Sequence, residues 1–257
     1  MGHKQPRRQG LPPRSDVAAV VKSKQSSLRN RLLRVMTPED FALVEPHLQP
    51  VALPKSKILI EPNTPIEYVY FPESGVASVV ALNSDKRTVE IGIVGWEGVV
   101  GPSVILGVDR TPHQSFFQMD GAGYRIAATH LTQALDASRS LHSLLLRYIH
   151  VLTVQTAATA MSNGDSVLSK RLARWLLMCH DRVDGDELAL THEFLSLMLA
   201  VRRPGVTEAI HLLEGSGIIK ARRANITILD RERLEETAGD SYGVPEAEYE
   251  RLIPELR

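Results

Sequence analysis

The feature that most restricts this chain is a change of hydrophobic period near Ala127. From Pro50 to about Arg125, apolar residues come in short β-branched or aromatic runs at 57–60, 67–71, Val76–Leu82, Thr88–Val94 and 115–119. They are separated by turn-forming residues such as Pro62-Asn63, Glu73-Ser74-Gly75 and Gly95-Trp96-Glu97-Gly98. Many short strands at this spacing predict a small sandwich or barrel. Beyond Ala127 the apolar residues recur at helical spacing. The chain is therefore expected to be α+β, with its strands and helices segregated along the sequence.

The longest helical stretch predicted is 140–163. Leu141, Leu144, Leu145, Tyr148, Val151 and Leu152 share one face, which continues with Gln155, Ala158 and Thr159. A stripe this long, unbroken before Gly164, suits a dimer seam, and it equally suits a helix packed on its own domain. The sequence leaves the two readings open.

The segment 191–217 bears most directly on function. Thr191 is a natural N-cap, and Leu195, Met198 and Leu199 give a short helix, read as running to about Val201, its buried stripe. A second helix starts at Arg202-Arg203-Pro204-Gly205, buries Val206, Ile210 and Leu213, and is ended by Gly215 and Gly217. Ile218–Ala221 and Ile226–Leu229 then bracket a basic tip, Arg222-Arg223-Ala224-Asn225. Helix, turn, helix with arginines at its start, then a basic hairpin form the layout of a winged helix-turn-helix. Arg202, Arg203, Thr207 and Glu208 are the expected base-reading residues. Thr191, His192, His211, Lys220, Arg222 and Arg223 are expected to meet phosphates.

The whole-chain charge is zero, which at first argues against a nucleic-acid partner. Split by region, residues 1–34 carry nine Lys or Arg against Asp16 alone, while residues 230–257 carry nine acids against four arginines. The balance hides a basic head and an acidic tail. Cys179 is the only cysteine, too few for an iron–sulfur cluster or a Cys-rich zinc site within one chain. The first 16 residues have no signal-peptide core. The most apolar long segment, 91–108, is interrupted by Glu97, Pro102 and five glycines, so no membrane span and a cytoplasmic location are expected.

This order of parts resembles the Crp/Fnr family of bacterial regulators. Lys170-Arg171-Leu172-Ala173-Arg174-Trp175-Leu176 looks like the opening helix of the family's DNA-binding domain, residues 190–230 look like its helix-turn-helix and wing, and Pro62–Tyr70 followed by Gly75 looks like its first β-roll hairpins. The resemblance implies a jelly-roll-like double-stranded β-roll effector domain at 28–139, a dimerisation helix at 140–163 and a winged helix-turn-helix at 164–238. These are flanked by a disordered basic tail at 1–27 and an acidic tail at 239–257. It implies a homodimer on palindromic double-stranded DNA, with RNA polymerase as a further partner if the protein activates.

The resemblance fails where cyclic AMP would sit. Family members that bind it place a carboxylate where Pro102 stands and an arginine where Pro112 stands, with Arg110 displaced by two residues. A buried cyclic phosphate needs a charge-assisted partner, so cyclic AMP is an improbable effector. The effector is unknown; Gly101, Ser103, Arg110, His113, Ser115 and Thr156 are the pocket residues to examine. His47, His113 and His130 are the imidazoles to consider for a haem, and none stands out. In the second helix, Pro204 and Gly205 replace the family's usual acid, so the preferred DNA site should differ.

No catalytic or metal constellation is found. His192-Glu193 opens like a zinc-protease motif, but Ser196 replaces the second histidine. Asp181, Asp184, Asp186 and Glu187 lack calcium-loop spacing. The chain is read as no enzyme. The alternative is a β-roll sensor whose C-terminal helices bind a protein partner instead of DNA, motivated by the acidic tail.

Overall fold

A computed structural model describes residues 25–82 and 88–253. The predicted basic tail lies outside the described residues up to position 24. Residues Gln25–Ser27 form a single 3-10 turn, and the Gln25 amide donates to the carbonyls of Leu33 and Met36 at 2.9 and 2.8 Å.

Two short helices follow, α1 (Arg31–Val35) and α2 (Pro38–Val44). Thr37 caps α2 as its sequence predicts, accepting from the Asp40 N–H, with Pro38 in the first turn. Seven strands come next: β1 (Gln49–Leu53), β2 (Ile58–Ile60), β3 (Tyr68–Pro72), β4 (Val76–Leu82), β5 (Thr88–Val94), β6 (Gln114–Met119) and β7 (Gly121–Ala127). They form two antiparallel sheets, β1-β7-β3 and β2-β6-β4-β5. Leu53, Val69, Phe71 and Ile126 of the first meet Ile60, Ala77 and Phe117 of the second in one core. This is the two-layer roll expected of the N-terminal part.

β1 and β7 were not foreseen. β7 reads Gly-Ala-Gly-Tyr-Arg-Ile-Ala, too poor in β-branched residues to look like a strand. Its glycines are required by packing, because a Cβ on Gly121 would lie 2.1 Å from the Ser74 carbonyl oxygen.

Helix α3 (Ala128–Ala137) leads into α4 (Arg139–Asp165), capped by Ser138, which accepts from the Leu141 N–H. Here the dimer-seam expectation is corrected. Leu141, Leu144, Leu145, Tyr148 and Val151 are buried in the core of their own β-domain, and Leu152 is half-buried against it. The apolar stripe was drawn by intrachain packing. The opposite face carries Leu146, Thr153, Thr156 and Ala160, all exposed.

The C-terminal part contains α5 (Leu168–His180), β8 (Glu187–Leu188), α6 (His192–Met198), α7 (Arg203–Gly215), β9 (Ile219–Arg222), β10 (Asn225–Ile228) and α8 (Arg231–Ala238). Its core also takes Val76, Val80, Ile93 and Met119 from the outer face of the four-stranded sheet, so that sheet is buried on both sides. A polar cluster sits in this second interface. Trp175 Nε1 and Ser78 Oγ donate to Glu90, and the Gln118 amide donates to Cys179 Sγ at 3.4 Å. Burial pushes the Cys179 thiol well up, so it is packing material and not a reactive group.

The acidic tail is a second correction. Residues Val244–Leu252 form a further helix, α9, lying on α4. Tyr249 and Ile253 are buried in the β-domain core, the Tyr249 hydroxyl donates to the Glu97 carbonyl at 2.6 Å, and Glu250 pairs with buried Arg31. Of its acids Glu250 is exposed, while Glu246 and Glu248 are half-buried, Glu248 against His150 of α4. No helix among the described residues is long and apolar enough to cross a membrane.

Candidate nucleic-acid interface

The helix-turn-helix is built outward from α5. Leu172, Leu176 and Cys179 are fully buried, and Trp175 meets Phe194 of α6 edge to face, with ring centroids 6.0 Å apart. Thr191 caps α6 by accepting from the Phe194 N–H at 3.1 Å. The helix ends at Met198, short of the predicted Val201, because Ala200 takes a left-handed conformation (φ 52°) that reverses the chain. The Arg171 guanidinium holds this turn from behind through the Leu199 carbonyl.

α7 begins where the sequence places it, with Pro204 in its first turn, where a missing N–H costs nothing. Gly205 has a second reason to be small: a Cβ there would come within 3.1 Å of the Leu168 side chain. Val206, Ala209, Ile210 and Leu213 are buried, which turns Arg203, Glu208, His211 and Leu212 outward. The His192 ring lies 3.2 Å from Thr207 Oγ1, whose hydroxyl also donates to the Arg203 carbonyl. Both residues were expected to face DNA directly; in this arrangement they also tie α6 to α7.

The wing is tighter and better anchored than its sequence indicates. β9 and β10 pair with Arg222 opposite Asn225, leaving Arg223 and Ala224 (φ 58°) as a two-residue tip. β8, which sequence reasoning missed, pairs with β10 on its other side. A two-residue strand gives no readable period, so only the preceding Asp184-Gly185 turn hinted at it. Glu214 at the end of α7 accepts from the Ala221 N–H at 3.0 Å, fixing the wing against the helix.

A groove of about 540 Å³ lies between α7 and the wing. It gathers Thr191, His192, Arg203, His211, Arg222 and Arg223. Arg202, Glu208 and Lys220 are exposed outside it. None of Arg202, Arg203, Lys220, Arg222 and Arg223 has an ion-pair partner among the described residues. Unpaired cations on a helix face and an adjacent hairpin can neutralise phosphates without first breaking an internal bridge. Leu212, 58% exposed on the outward face of α7, was not foreseen. It falls off the stripe of Val206, Ile210 and Leu213, and that misfit was its one signal. An apolar side chain there can meet a thymine methyl.

The proposed effector residues are not gathered in the same way. Thr156 is on the outward face of α4, its hydroxyl donating to the Leu152 carbonyl. Arg110 is exposed and bound to its neighbour Asp109. Ser115 is buried on β6, Gly101 holds a left-handed turn (φ 99°), and Ser103 and His113 are half-buried. The His47 and His130 rings stack 3.9 Å apart. No group of three or more His, Cys, Asp or Glu among the described residues is arranged to hold a metal ion.

Residues 170–237 match the model of the Crp-like helix-turn-helix domain. No curated protein matches the chain. Among solved structures, similarity extends over most of its length. A regulator assigned to the crp/fnr family from Eubacterium rectale is 20% identical, with TM-score 0.64, covering 80% of this chain and 97% of that one. FixK2 from Bradyrhizobium japonicum is 19% identical, with TM-score 0.65, covering 75% and 98%. The c-di-GMP responsive global regulator CLP from Xanthomonas campestris is 18% identical, with TM-score 0.58, covering 75% and 99%.

Proposed function

We propose that this chain, which carries a Crp-like helix-turn-helix domain within the fold of the Crp/Fnr regulators, is a bacterial sequence-specific DNA-binding transcription regulator acting as a homodimer. The observation that carries the reading is the groove joining Arg203 and His211 of α7 to Arg222 and Arg223 of the wing. α7 enters the major groove, and the wing holds the flanking backbone.

The dimer reading moves to the outward face of α4. Exposed Leu146, Thr153, Thr156 and Ala160, with half-buried Ile149 between them at the edge of the core, alternate three and four apart, the spacing of a two-helix seam. A two-fold axis along it spaces two α7 helices for successive turns of DNA, roughly 34 Å apart. The site is a palindrome, and RNA polymerase is a partner if the protein activates.

A signal acts through the β-domain. Cyclic AMP remains a poor candidate, with Pro102 and Pro112 at the positions of its usual partners and Arg110 committed to Asp109. The alternative, a β-roll sensor whose C-terminal helices bind a protein partner instead of DNA, is less favoured, since the acidic segment that motivated it has its apolar side buried in the β-domain core.

The test is selection of fragmented bacterial genomic DNA on the purified full chain, with and without cell extract. Enrichment of one palindromic motif is expected. Recovery of fragments with no common motif under both conditions would sink the proposal.

A further inference from the structure

A cavity of about 450 Å³ lies where four parts of the chain meet: the turn after β5, α4, the end of α5 and the segment entering α9. None of the residues expected to hold an effector lines it. Its volume is that of a small-molecule site, and Trp96, Val151, Leu152, Pro245 and Ala247 give it a largely apolar wall.

Two buried polar side chains in the wall are only partly engaged. Arg182, 7% exposed, donates from Nε to Glu97 at 2.8 Å and from Nη1 to the Met178 carbonyl at 2.6 Å; its Nη2 has no acceptor among the described residues. Gln155, 3% exposed, accepts the Ile93 N–H at 2.9 Å through its oxygen, while its NH2 group has no acceptor among the described residues. Neither group is among the polar atoms sealed from solvent without a partner, so both donors are open to a ligand in the cavity. Across the cavity, one oxygen of Glu246 accepts the Gly243 N–H at 3.0 Å, and the second oxygen is open to a donor.

The charges restrict the occupant further. Glu97, Asp181, Glu246 and Glu250 line the cavity against Arg31 and Arg182 only. Both arginines are already paired, Arg182 with Glu97 and Arg31 with Glu250. Asp181 is paired with Arg231, so Glu246 is the one lining carboxylate without an ion-pair partner among the described residues, and it would repel an anion placed here. We infer that this cavity is a binding site for an uncharged, planar ring compound bearing an amide-like group. Its carbonyl faces Arg182 and Gln155, its N–H faces Glu246, and its ring lies along Trp96 and Leu152. Because the walls come from the β-domain, α4, the winged-helix part and α9, a bound ligand favours the arrangement that brings all four together. That regulatory consequence rests on the regulator reading; the binding itself does not.

Three probes of one skeleton test the chemistry: indole-3-acetamide, indole-3-acetate and tryptamine, titrated calorimetrically into the full chain. The acetamide is expected to bind one to one, about tenfold or more tighter than the acetate. Ala247→Trp, at an exposed position of α9, fills the cavity and is expected to abolish binding while leaving the circular dichroism spectrum and melting temperature unchanged. Gln155→Leu is expected to weaken the acetamide about three- to tenfold. Lack of saturation by the acetamide up to about 5 mM would overturn the inference. So would tighter binding of the acetate, or acetamide binding indifferent to Ala247→Trp. No DNA enters the titration, so its outcome is separate from that of the genomic selection.

Discussion

Trp175 on α5 donates its indole N–H to Glu90 on β5 at 2.5 Å, and this bond crosses the boundary between the β-domain and the winged-helix part. The other Glu90 oxygen lies 2.8 Å from Ser78 Oγ, which in turn lies 2.7 Å from Gln118 Oε1. One hydroxyl hydrogen serves only one of these acceptors. When Glu90 is ionised Ser78 donates to it; when Glu90 is protonated it can donate to Ser78, freeing the Ser78 hydrogen for Gln118.

The same boundary predicts a pH dependence. Burial pushes the Glu90 carboxyl up from 4.5 to about 7, with Ser78, Trp175, Arg174 and Arg182 opposing it. A folded value above the unfolded one means that the native state holds the extra proton. The stabilisation is full below the unfolded value and is lost as pH rises through about 7. Between about pH 5 and 8, the melting temperature of the natural chain should fall relative to Glu90→Gln, which keeps a neutral side chain there. Parallel melting curves for the two would show that Glu90 is ionised throughout.

DNA recognition should divide between helix and wing. Arg203→Ala is expected to relax preference at one base position, costing about 1–3 kcal/mol on the best site. Arg222→Ala is expected to weaken all sequences alike and to lower the salt dependence by about one ion. Binding-site selection and salt titration check both. Identical altered sequence logos would contradict the division.

Two neighbouring leucines separate association from folding. Leu146→Glu, on the exposed face of α4, should give a folded monomer in light scattering after gel filtration. Leu145→Ala should leave the dimer intact but cost about 2–5 kcal/mol in denaturant unfolding, because its side chain is fully buried. A dimer that persists in Leu146→Glu would move the seam elsewhere.

α9 should be a structural part of the β-domain. Tyr249→Ala removes a ring from the core, its bond to the Glu97 carbonyl and the stacking of Arg31 at 4.9 Å from its centroid. A loss of about 3–5 kcal/mol is expected, by analogy with other buried aromatics. Unchanged unfolding would mean that α9 is detached in solution.

The sequence made the helix-turn-helix legible almost to the residue, because Thr191, Pro204 and Gly215 are local signals that need no tertiary context. The strands at 76–82 and 88–94 were readable from β-branched runs for the same reason. β7 and β8 were not, since a glycine-rich strand and a two-residue strand owe their form to the partners beside them. The face of α4 was seen correctly, but what covers it was not: an apolar stripe says that it is buried and never by whom. α9 was hidden because its acids dominate its composition, while few apolar residues, chiefly Tyr249 and Ile253, mark its docked side.

That docking also changes how the winged-helix part is suspended. It is joined to α4 at Ser166 and returns to the same body through α9, so its two ends share one support. A module held at one end swings like a gate on a hinge. One held at both turns only about the line through its anchors, unless α9 lets go. For the same reason a single backbone cut within 168–243 would leave both fragments attached, and a module already looped back loses little chain entropy in staying docked. Departure of the DNA-reading part from the sheet face is thus coupled to the grip of Tyr249 on a core that lies in a different domain.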